Sequence, residues 1–294
     1  MNDTVTIIIV NYNGEKFLVD CMDSIREQTY KKLQVIVFDN DSADGSVELI
    51  RRKYPEAKLI DGDKNIGYCA ANNYCLNEFL ESQRKYALLL NADMILQKDC
   101  LESLINTADN QKEFGIFSPR ILRFPETDKI WYAGGSIDFK RGITRFGTGK
   151  IDAAFIHVPG KTEFVCGCSM LIRRTFMEKI GLFDPDFFAY YEDADLSVRA
   201  NNAGMGCYYE PRAIAYHKGG DIESPYSAYY YHRNRFLFVS KHATFLQRLY
   251  FYPFIIKNQV MHILKFRKQG KLLMAESLWK GLVDGLLNRV GKIV

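Results

Sequence analysis

The sequence predicts one α/β domain built on a doubly wound, mostly parallel sheet with helices on both faces, followed by a helical tail. Three observations carry this. Short apolar runs rich in β-branched residues recur through the first hundred residues and suit strands covered on both faces. Stretches of helical period separate them, the alternation that a parallel sheet requires. Each run also ends in Asn, Asp or Gly, and open α/β sheets bind ligands beyond the carboxyl ends of their strands.

Taken in order, Thr6–Val10 is the first strand and Lys16–Glu27 the first helix, with Phe17, Cys21, Ser24 and Ile25 on one face. Leu33–Phe38 is the second strand. Asp44-Gly45-Ser46 then opens a helix over Val47–Lys53. Lys58–Ile60 is a weaker strand, Ala70–Leu80 a helix and Tyr86–Leu90 a strong strand. The strand ends are Asn11-Tyr12-Asn13-Gly14, Asp39-Asn40-Asp41-Ser42, Asp61-Gly62-Asp63 and Asn91-Ala92-Asp93. Turn chemistry alone explains one or two of these; four together point to one polar site. From 115 to 165 the pattern is less regular, with turns expected at Trp131–Ser136 and Gly142–Gly149. Glu163–Ile172 reads as a central strand, Ala194–Asn202 as a helix stopped by Gly204, and Gly206–Tyr209 and Ala213–His217 as two last short strands.

With 294 residues, 47% hydrophobic and 25% charged, the chain has an ordinary globular composition. Its seven cysteines are odd in number and include no C-x-x-C, so reduced thiols in the cytosol are expected. Cys166-Gly-Cys168 lacks a second Cys/His pair at zinc-finger spacing. Val5–Val10 is too short for a signal core, and no apolar run near the C-terminus reaches the roughly 20 residues of a spanning helix. Residues 241–294 hold ten Lys/Arg against two Asp/Glu, a net +8, while the first 240 hold 29 against 33, a net −4. A mildly acidic body excludes nucleic acid as the expected partner.

The most informative segment is Phe187-Phe-Ala-Tyr-Tyr-Glu-Asp-Ala-Asp195. Aromatic side chains favour burial, and carboxylates resist it unless paired or working. Crowding both into nine residues suggests a pocket wall; the plain alternative is a solvated loop or helix start. Asp195 and Arg199 stand at i and i+4 and can pair. At the end of the buried run Leu88–Leu90, Asp93 offers oxygen ligation suited to Mg²⁺ or Mn²⁺.

Val5–Gly14, Asp39–Ser46, Asn65-Ile-Gly-Tyr68 with Ala71-Asn-Asn73, and Leu88–Asp93 together resemble the successive signatures of family 2 glycosyltransferases of the GT-A fold. Gly167–Arg174, Gly181–Asp184, Phe187–Asp195 with Arg199, Tyr216-His217 and Tyr231–Arg235 resemble its rhamnosyltransferase branch. The match runs in order over about residues 4–240.

The resemblance implies inverting sugar transfer from a nucleotide-diphospho-sugar to a glycan or lipid-linked glycan of a surface polysaccharide. It implies dTDP-rhamnose as donor, with a UDP-hexose or UDP-N-acetylhexosamine as the runner-up. Val10 and Tyr12 match positions lining the nucleobase, Asp39 the residue that hydrogen-bonds it, and Asn65 the ribose and diphosphate stretch. Asn91 stands where the family's D-x-D motif has its first Asp, and Asp93 is its last. His217 matches a second metal ligand, and Gly167 lies in the donor-side signature. Asp193 matches the catalytic base: a carboxylate can take the acceptor hydroxyl's proton as that oxygen attacks the anomeric carbon. Glu192, Asp195 and Arg233 are left as acceptor-binding or loop-orienting residues. Arg233 and Arg235 also suit phosphate, and Trp131 and Tyr132 suit a sugar face or the core.

A basic, apolar tail over 241–294 reads as a helix lying on an anionic membrane, as packing on the domain, or as a homodimer contact. The expected place is the cytoplasmic side, peripheral on the inner face of the cell membrane. Two rivals belong to other classes. A nucleotidyltransferase would need a Gly-rich basic loop after the first strand, which Asn11–Glu15 does not supply. A non-catalytic sugar-nucleotide-binding module is the other, kept open by Asn91.

Overall fold

The computed structural model describes residues 4–150, 157–219 and 224–292. The first half alternates strictly: β1 (Val5–Asn11), α1 (Glu15–Arg26), β2 (Leu33–Asp39), α2 (Ser46–Lys53), β3 (Lys58–Asp61), α3 (Tyr68–Glu81) and β4 (Tyr86–Leu90). β5 (Met94–Leu96) and α4 (Cys100–Asn110) follow, then β6 (Ile116–Arg123), β7 (Lys129–Tyr132), the hairpin β8 (Gly135–Asp138) and β9 (Ile143–Phe146), β10 (Gly149–Lys150) and β11 (Gly160–Thr162). The chain continues through β12 (Ser169–Arg173), α5 (Arg174–Ile180), α6 (Glu192–Asn202), β13 (Cys207–His217), α7 (Pro225–His242), α8 (Phe245–Lys268) and α9 (Leu272–Leu286).

Among the described residues the main sheet runs β10-β7-β6-β12-β4-β1-β2-β3, with β13 beside β6. β4, β1, β2 and β3 are mutually parallel, so their carboxyl ends share one edge. β12 enters antiparallel between β4 and β6, which makes the sheet mixed. Ile7, Ile8, Ile9 and Leu88 are fully buried, as strands covered by helices on both faces must be. Each such side chain contributes about 1.5–3 kcal/mol of burial energy.

Three expectations need correction. The strand read over Glu163–Ile172 begins only at Ser169. Val165 N–H instead donates to Ser197 Oγ and Gly167 N–H to Asp193 Oδ2, so α6 rather than a neighbouring strand satisfies this segment. The two last strands are one, β13, with a bulge between Glu210 and Ile214. Pro211, which has no N–H for a ladder, sits in that bulge. The helix expected from Ala194 starts at Glu192, which puts Asp193 in its first turn. α4 was legible but unread: Leu101, Leu104, Ile105 and Ala108 recur at helical spacing and are all buried.

The boundary placed at 240 falls near the end of α7. Beyond it, α8 and α9 form a hairpin whose second arm packs along α7. Residues 293–294 of the tail lie outside the described residues.

Candidate active site

β1 and β4 are adjacent and parallel, so Val10–Gly14 and Asn91–Asp93 leave the sheet side by side. The loop before β12, the first turn of α6, the end of β13 and one face of α7 close around them. Together they enclose a cavity of about 720 Å³. Val10, Tyr12, Asn65, Asn91, Asp93, Gly167, Glu192, Asp193 and His217 all line it. Asp39, Asp195 and Arg233 do not. The end of β3 is also apart from it, because Asp61 pairs with Arg51 at the surface.

Asp39 is fully buried. Its Oδ2 accepts from Asn11 Nδ2 at 2.7 Å and Ser42 Oγ at 2.9 Å, and its Oδ1 accepts from Ser42 N–H at 2.8 Å. Asp39 thereby braces β1 against the loop after β2. Asn40, next to it, does line the cavity and donates to Asn65 Oδ1 at 3.2 Å. Asn65 Oδ1 also accepts from Gly67 N–H at 3.0 Å. Gly67 has φ +88°, and a Cβ there would meet the Phe188 ring at 2.5 Å, so only glycine lets this loop seat against the acidic segment.

Asp93 Oδ2 lies 3.2 Å from His217 Nε2. Asp93 Oδ1, Asn91 Oδ1 and His217 Nδ1 are buried without a hydrogen-bond partner, which marks a site built for something further. Two ligands at about 2.1 Å from one ion, at right angles, stand about 3.0 Å apart. The Asp93–His217 separation thus fits a shared divalent cation. Among the described residues no third His, Cys, Asp or Glu joins them, so such an ion would take its remaining ligands from water or a bound diphosphate. The Trp131 ring meets His217 edge-on, centroids 4.4 Å apart, and fixes the imidazole plane. Gly219 passes so close that a Cβ would lie 2.3 Å from Asp93 Oδ2.

The segment leading to Asp193 is strained. Phe188, Tyr190 and Tyr191 have φ of 63°, 69° and 73°, a region costly for residues with a Cβ. Buried polar groups of α7 hold it. Asn234 Nδ2 donates to the carbonyls of Phe187, Ala189 and Tyr190 at 2.7–2.8 Å. Arg233, 1% exposed, donates to the carbonyls of Asp186, Phe187 and Gly291. Arg235 donates to those of Arg141 and Gly142. Arg233, whose three nitrogens all bond within the fold, orients the loop and is not free to take a phosphate.

Asp193 Oδ2 accepts from Gly167 N–H at 2.9 Å and Oδ1 from Ala194 N–H at 2.8 Å. Burial raises its pKa to about 6, with these amide hydrogen bonds pulling the other way. Burial, then the charge of Asp193, pushes Glu192 well above the carboxylate range, and Glu192 Oε2 has no partner. Asp195 takes the opposite course. Burial acts to raise it, but His242 at 2.7 Å, Arg199 at 2.8 Å and Lys241 at 2.9 Å bring it down to about 2. It locks α6 to α7 and has no opening to an acceptor. Tyr132 donates to Phe164 O at 2.6 Å from full burial and is core, whereas Trp131 lines the cavity. Sequence reasoning missed Tyr226 and Tyr231 as wall residues; the aromatic run that opens α7 was the available signal.

One cavity therefore brings together a carboxylate poised near neutrality, a carboxylate–imidazole pair fit for a divalent ion, and apolar and aromatic walls. Comparison with known proteins places the chain in a family. The chain is 24% identical over 267 residues to N-acetylglucosaminyl-diphospho-decaprenol L-rhamnosyltransferase of Mycobacterium tuberculosis, covering 82% of this chain and 85% of that one. It is 28% identical to the low-salt glycan biosynthesis hexosyltransferase Agl10 of Haloferax volcanii, covering 99% and 94%. The fold is that of the mannosyltransferase PcManGT from Pyrobaculum calidifontis, solved with GDP-Man and Mn²⁺. That match has a TM-score of 0.62 at 15% identity and covers 97% of this chain and 87% of that one. The GT-A-type architecture is thereby shown. Residues 6–181 match the family model described as glycosyl transferase family 2, and the chain belongs to that family.

Proposed function

We propose that this glycosyltransferase moves rhamnose, with inversion, from dTDP-rhamnose to a glycan or lipid-linked glycan in surface polysaccharide synthesis. The observation that carries the reading is Asp193, a buried carboxylate held by two backbone amides in the same cavity as Asp93 and His217. The acceptor hydroxyl loses its proton to Asp193 as its oxygen bonds to the anomeric carbon. The bond from that carbon to the diphosphate breaks, and the diphosphate leaves with the electron pair. A Mg²⁺ or Mn²⁺ ion held by Asp93 and His217 would, when bound, offset the charge of that leaving group. Val10, Tyr12, Asn40 and Asn65 form the nucleotide side. Trp131 and Phe146 give an apolar wall that suits a 6-deoxy sugar.

A UDP-hexose or UDP-N-acetylhexosamine donor is the second reading, supported by the relative named a hexosyltransferase, which aligns with nearly the whole chain. The enzyme acts at the inner face of the cell membrane on this reading. Among the described residues no helix is long and apolar enough to cross one.

The test is nucleotide-diphosphate release from a panel of dTDP-, UDP- and GDP-sugars, with Mg²⁺, Mn²⁺ or EDTA and a lipid-linked acceptor extract. Release from dTDP-rhamnose alone, abolished by EDTA and by Asp193→Asn, supports the proposal. Release unchanged in Asp193→Asn, or a bound nucleotide sugar with no release under any condition, refutes it.

A further inference from the structure

We infer that the outward face of α8, with the start of α9, is a docking surface for an anionic phospholipid bilayer. One side of α8 is ordinary packing: Phe251, Ile255, Gln259 and Ile263 are buried against the rest of the protein. The other side is apolar and bare. Phe245, Leu246, Leu249, Tyr250, Met261 and Leu264 are each more than half exposed. They recur along a helix of 24 residues, about 36 Å long. Leu272 and Leu273 continue the patch at 65% and 70% exposure. A contiguous apolar surface of this length marks an interface.

The charge around the patch chooses the partner. α8 holds Arg248, Lys257, Lys265, Arg267 and Lys268 and no acidic residue. Among the described residues Lys257, Lys265, Arg267 and Lys268 are exposed and in no ion pair. A shallow groove of about 440 Å³ on this face has Met261 and Leu264 beside Lys265, Lys268 and Gln269. Apolar floor and cationic rim match an acyl chain and its phosphate. A second copy of this chain meets the face poorly, because a two-fold contact would set cations against cations with no acid on either α8 to answer them. Among the described residues no helix is long and apolar enough to cross a membrane; on this inference α8 lies in the interface plane, with its long basic side chains reaching the headgroups.

The surface adjoins the cavity through two elements. Lys140 and Arg141, in the turn of the β8–β9 hairpin, lie over the rings of Tyr250 and Phe254 of α8. That hairpin supplies Thr144 and Phe146 to the cavity wall. α9 packs along α7, which supplies Tyr226 and Tyr231. A lipid-linked acceptor at the bilayer surface would reach the cavity from this side; that step alone rests on the proposed function, and the docking does not.

The experiment is co-sedimentation of the full chain with vesicles of phosphatidylcholine alone and of phosphatidylcholine mixed with phosphatidylglycerol. The parent protein is expected to bind the mixed vesicles, more weakly in high salt and least to phosphatidylcholine alone. Leu249→Asp with Leu264→Asp, and separately Lys265→Glu with Lys268→Glu, should each lower that binding by a factor of about ten or more. Both variants are at exposed positions and should keep the parent's circular dichroism and its nucleotide-diphosphate release with a water-soluble acceptor. Parent-level binding in either variant, or no binding by the parent, overturns the inference. So does a lipid-free dimer, seen by light scattering, that Leu264→Asp dissociates. Loss of vesicle binding with release intact would separate this surface from the transfer chemistry, whichever of the two fails.

Discussion

Gly167 donates its backbone N–H to Asp193 Oδ2 across 2.9 Å, tying the turn before β12 to the first turn of α6. The carboxylate so held has its pKa raised to about 6, mainly by burial. A general base works in its ionised form. The rate of nucleotide-diphosphate release at limiting donor should therefore rise about tenfold per pH unit below 6 and level off above it. A pH–rate profile in constant-ionic-strength buffer checks this; a flat profile from pH 5 to 8 would remove Asp193 from the base role.

Asp193→Asn should lower the rate by about 10²–10⁴ without lowering stability at neutral pH. The sign follows from the raised pKa. The folded state holds this proton more tightly than the unfolded state, so ionisation weighs against the fold as pH rises from about 4 to 6 and remains a cost above it. The amide removes that cost, worth at most about 3 kcal/mol, and gives some back where its NH₂ faces the Ala194 N–H. Glu192→Gln mimics a carboxyl that burial already keeps protonated and should cost under about tenfold in rate. Thermal melts and initial rates on both variants decide the matter.

His217→Ala and Asp93→Asn should each move the Mn²⁺ concentration for half-maximal activity upward by about tenfold or more. Excess metal should restore part of the rate in His217→Ala. If both variants keep the parent's metal titration, the 3.2 Å pair is only a hydrogen bond.

Asn234→Ala removes the side-chain donor from the Ala189 and Tyr190 carbonyls of the strained loop and leaves the Phe187 carbonyl to Arg233 alone. The expected loss is about 3 kcal/mol of stability, with kcat falling while the nucleotide affinity stays near that of the parent. Calorimetric nucleotide titration beside initial rates separates the two effects.

Acid unfolding should report Asp195. Its folded pKa of about 2 lies below the unfolded value, so its contribution is complete above about pH 4 and is lost as pH falls toward 2. That contribution is roughly 2 kcal/mol. In Asp195→Asn the stability difference from the parent should shrink over that same window, measured by urea titration at each pH.

β1, β2 and β4 were legible because burial on both faces leaves an unbroken apolar run, as at Ile7–Ile9 and Leu88–Leu90; β3, at the sheet edge with Lys58 and Asp61 exposed, gave the weaker run. The meeting of the β1, β2 and β4 ends followed once parallel pairing was inferred, whereas the β3 end, read as part of the same site, lies apart from it. The partners of the polar side chains were not legible. Arg233 carries the residue type of a ligand contact, yet it is engaged by the Asp186, Phe187 and Gly291 carbonyls, which only the fold brings near, and Asp39 meets Asn11 in the same way. Residues 163–168 looked like a strand because their composition suits one, but Ser197 and Asp193 take the hydrogen bonds a ladder would need. In the tail, periodicity gave helices; which side of α8 would be left bare depended on where α7 and α9 lie.

Gly291 both donates to the Asp186 carbonyl and accepts from Arg233, so the loop before Asp193 is bound on its far side by a segment translated long after it. On the ribosome, β1 to β4 can pair while this loop still lacks its last restraint. A nascent chain would carry a formed nucleotide shelf and an unset base until the residues around 291 emerge. On the proposed function, competence for transfer would then arrive late in synthesis, and a chain shortened ahead of that point would bind its donor without turning it over.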